Sequence, residues 1–75
     1  MAERAINTLV KDYNFNRNYA ELFVSDVFDL IDSVTKEKGY KSMPEEKKAE
    51  LAIAGAVIFR QDIRERIDKL KLNTQ

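Results

Sequence analysis

Seventy-five residues carry 13 basic and 13 acidic side chains, so the chain is one small domain of zero formal net charge. Such a chain has no overall field to attract nucleic acid or anionic membrane. Histidine and cysteine are both absent, which excludes disulfides, Cys/His zinc sites and imidazole or thiol catalysis, and two glycines with one proline supply too few turns for an all-β fold.

The first expected element is a short amphipathic helix from Ala2 to about Tyr13. Ala5, Ile6, Leu9, Val10 and Tyr13 recur at the i, i+3, i+4, i+7 spacing of one helical face. A turn follows at Asn14-Phe15-Asn16-Arg17-Asn18. Asparagine tolerates the left-handed backbone that ends a helix and also caps the start of the next. Two caps are possible. Asn18 with Glu21 reads as a capping box, whereas Asn16 as cap would let Phe15 staple onto Ala20.

The second helix is expected from about Tyr19 to Glu37, stopped by Gly39. Its apolar residues cover roughly 240° of arc, against the ~100° that a surface helix needs. That excess marks either the centre of a fold or an interface. Glu21, Asp26, Asp29 and Asp32 form an acidic row along it. Such a row could mimic phosphates or meet a basic partner, but it is also the ordinary solvated face of an amphipathic helix.

The stretch Asn14-Phe15-Asn16-Arg17-Asn18-Tyr19-Ala20-Glu21-Leu22 is similar to the hairpin turn in the family of small inhibitors of sporulation histidine kinases. The resemblance covers the turn alone. A long third helix has no counterpart there, and no function carries over.

Ser42-Met43-Pro44-Glu45 reads as a second capping box, with proline in a first turn. Beyond it the helical pattern is unbroken. Ala49, Ala52, Ala56, Phe59, Ile63, Ile67 and Leu70 stay within roughly 80° of arc, which predicts one helix from about Met43 to Lys71. The alternative is a break near Gln61 and a monomeric three- or four-helix bundle.

A helix of about 28 residues is ~42 Å long, whereas a compact domain of this size is only ~30 Å across. The last helix should therefore outreach its own core. The residues Leu51 to Phe59 are apolar on all sides and pose the same difficulty. A symmetric dimer of helical hairpins is the economical answer.

Arg60, Arg64, Arg66, Lys69 and Lys71 lean basic, but the pairs Asp62–Arg66, Arg64–Asp68 and Glu65–Lys69 have the i, i+4 spacing that neutralises charge. Tyr13, Phe15, Tyr19 and Tyr40 lie near helix ends, where aromatics seal small cores or anchor partners. Ser25, Ser33 and Ser42 have no activating base, and no glycine-rich phosphate loop is present.

The expectation is an all-α protein, a helical hairpin followed by one long C-terminal helix, in a symmetric dimeric bundle. Residues 1–72 would form its single domain and residues 73–75 a frayed tail. The expected function is non-enzymatic: a cytoplasmic homo-oligomer that binds and modulates another macromolecule, with no cofactor, metal or membrane partner. Its oligomer or partner interface would be Ala52, Ala56, Phe59, Ile63, Ile67 and Leu70. One alternative is a nucleic-acid-binding regulator using Arg60, Arg64 and Lys71. Another is an acidic-face inhibitor that mimics nucleic acid, such as a phage-encoded protein.

Overall fold

The computed structural model describes residues 2–74, with side chains described to Leu70. Three helices make up the fold: α1 (Glu3–Tyr13), α2 (Arg17–Glu37) and α3 (Glu45–Thr74). No strand occurs among the described residues. Each helix packs on the other two.

The first turn forms because Asn14 adopts the left-handed conformation, at φ 58°, which lets the Phe15 N–H donate to the Leu9 carbonyl at 3.0 Å. Asn16, not Asn18, then caps α2. Its side-chain oxygen accepts from the Tyr19 N–H at 3.1 Å, satisfying an otherwise orphaned donor. Phe15 and Ala20 are both buried, as the staple requires.

Gly39 ends α2 at φ 70°. The Tyr40 N–H donates to the Thr35 carbonyl at 2.8 Å and the Gly39 N–H to the Lys36 carbonyl at 3.2 Å, the paired bonds of a Schellman cap. The start of α3 differs from expectation. Pro44 presents its carbonyl to the N–H groups of Lys47 and Lys48, both at 3.1 Å, and the helix begins at Glu45. The proline fixes this first turn without help from the Ser42 hydroxyl.

No break occurs near Gln61. The helix is continuous and its backbone extends to Thr74. Gln75, the end of the expected tail, lies outside the described residues. Thirty residues make a rod ~45 Å long. The molecule measures 50 × 29 × 16 Å, elongated as a rod outrunning its core requires.

α3 runs antiparallel to α2. Near its start Lys48 Nζ pairs with Asp32 at 2.9 Å and lies 5.3 Å from the Phe28 ring centroid. Eleven residues on, Phe59 meets Phe23 with ring centroids 6.4 Å apart. Gly55 lies between them, where the Phe23 ring passes.

The core is thin. Ala5, Leu9, Phe15, Ala20, Val24, Ala49, Ala52 and Ala56 are buried, with Ile6, Phe23, Val27, Phe28, Ile53 and Val57 packed around them. Five of the eight are alanine, and small side chains let three helices approach closely but bury little area. Tyr19, Leu22, Leu30, Leu51, Ile58 and Phe59 remain exposed. The wide apolar arc of α2 is thus only partly covered by its own chain.

Candidate functional site

The alanines of α3 and the residues beyond them lie on one face. At 100° per residue, Ala49, Ala52 and Ala56 continue directly into Phe59, Ile63, Ile67 and Leu70. The first three are at most 6% exposed, but Phe59 is 50%, Ile63 39%, Ile67 50% and Leu70 64% exposed. Burial stops where the α1–α2 turn stops. Past Arg60 the same stripe runs on with no hairpin above it, and every side chain from Gln61 to Leu70 is exposed.

This geometry divides the expected interface. Ala52 and Ala56 are 0% and 1% exposed, because the hairpin of the same chain packs on them. In the single chain they belong to its own core. Phe59, Ile63, Ile67 and Leu70 form the outward seam.

The seam opens into a groove of ≈ 520 Å³ lined by Asn14, Tyr19, Phe59, Arg60, Ile63, Arg64 and Ile67. Tyr19 and Phe59 line it and belong to a run of four rings. Phe15 and Tyr19 stack at 5.9 Å, and Tyr19 and Phe23 follow at 6.0 Å before Phe23 reaches Phe59. Only Phe15 of these four is buried. Two further apolar hollows flank α3, one lined by Tyr13, Ile53, Val57 and Ile58, the other by Met43, Leu51 and Ala54.

Arg60 is exposed, and its guanidinium is turned onto the hairpin turn. Its guanidinium lies 3.8 Å from the Phe15 ring centroid and donates to the carbonyls of Tyr13, at 2.6 Å, and Asn14, at 3.5 Å. Those carbonyls close α1, so the cation sits at the negative end of that helix. The chain thus uses Arg60, one of the residues expected for a nucleic-acid contact, as a clasp on its own hairpin turn. Arg64 lines the groove, and the Lys71 side chain lies outside the described residues.

Of the expected i, i+4 pairs, Asp62–Arg66 closes at 3.1 Å. Among the described residues no ion pair joins Arg64 to Asp68 or Glu65 to Lys69. In the acidic row, Glu21 lies 3.8 Å from Arg17, and Asp32 is held by Lys48. Asp26 and Asp29 are exposed. The row is thus divided between internal pairing and solvent.

Among the described residues no group of three metal-ligating side chains gathers, and no helix is long and apolar enough to cross a membrane. Comparison with protein-family models, with curated proteins and with solved structures finds no match. The function must therefore be argued from the seam and its surroundings.

Proposed function

We propose that this chain is a non-enzymatic interaction protein that works as a helical homo-oligomer and binds and modulates another macromolecule. One observation carries the reading: the core stripe of α3 continues, exposed, for more than two turns past the hairpin that covers its first half. A stripe of this kind costs solubility unless something buries it, and contiguous apolar surface rimmed by polar residues marks interaction sites. The rim is present here, in Arg64, Asp62 and Arg66. The exposed Leu22, Leu30 and Val34 of α2 give a second apolar surface through which a different macromolecule could be held.

Cytoplasmic residence belongs to the same proposal. The nucleic-acid alternative is weakened because Arg60 is committed to the hairpin turn, and a recognition helix needs its arginines free. The acidic-mimic alternative loses Asp32 to Lys48 in the same way.

Static light scattering across the micromolar range, with an apolar-sensitive dye alongside, tests the reading. The mass should rise with concentration toward a multiple of 8.7 kDa while dye binding per chain falls. A constant monomer mass with no dye binding contradicts it.

A further inference from the structure

No further inference is drawn: the strongest candidate, the exposed apolar stripe of Phe59, Ile63, Ile67 and Leu70 on the projecting half of α3, is an unpartnered face, and nothing in the structure shows what covers it.

Discussion

Arg60 donates to the backbone carbonyl of Tyr13 across forty-seven residues of sequence, at 2.6 Å, while its guanidinium covers the ring of Phe15. This clasp ties the projecting rod to the hairpin turn and fixes where the covered part of α3 ends. Replacing Arg60 with alanine removes the charged donor and the stacked cation together. The expected loss is about 1–2 kcal/mol, the lower part of the range for charged hydrogen bonds because the site is exposed. Arg60→Lys should recover less than half of it, since an ammonium cannot fork between two carbonyls and stack at once. Urea unfolding of the three proteins checks this; equal midpoints for Arg60→Ala and the parent chain would contradict it.

The two glycines should respond to alanine with opposite signs. Gly39 holds a left-handed φ of 70° with no atom within 4 Å of an added Cβ, so its penalty is purely conformational. Gly39→Ala should destabilise by about 1–2 kcal/mol, and Gly39→Asn by less. Gly55 is inside α3, where an added Cβ meets Phe23 at an ordinary 3.9 Å. Gly55→Ala should stabilise by about 0.5–1 kcal/mol through helix propensity. Thermal melts of both variants provide the comparison.

Leu9 and Val24 are the largest side chains fully buried in an otherwise alanine-rich core. Leu9→Ala should cost about 3 kcal/mol, which is most of what so thin a core supplies. A broadened or lost cooperative transition is the expected result. A sharp transition close to the parent's would show that the core is less dependent on Leu9 than its burial implies.

Much of this architecture is legible in sequence, and what is hidden has a physical reason. The spacing of Ala5, Leu9, Ala20 and Val24 announces two amphipathic helices, and the uninterrupted run after Pro44 announces the rod. Asn16 and Asn18 are equally good caps by composition. Only the entry of Phe15 into the core decides for Asn16. Ala52 and Ala56 share a face with the seam, so periodicity groups them with it, whereas the length of the hairpin separates them. Arg60 is the clearest omission. Its partners are backbone carbonyls, which carry no residue identity and leave no pattern to read.

Because the paired state would contain more buried apolar surface than the single chain, folding should depend on protein concentration. The melting temperature is expected to rise by several degrees per tenfold increase in concentration. Salt should act in the same direction. Arg64, Arg66 and Lys69 flank the seam against one acid there, Asp62, and Glu65 and Asp68 lie toward its back, so two facing seams bring net positive rims together. Screening relieves that repulsion, and association should tighten severalfold between low and high salt. Nucleic-acid binding would weaken instead.

The exposed seam is the centre of this account, and Ile63 lies at its middle without being needed by the hairpin core. Sedimentation equilibrium of the parent chain beside Ile63→Asp, both at high micromolar concentration, tests it most directly. The account predicts a dimer for the parent and a monomer of unchanged helicity for Ile63→Asp. The same mass for both proteins, whether one copy or two, would contradict it.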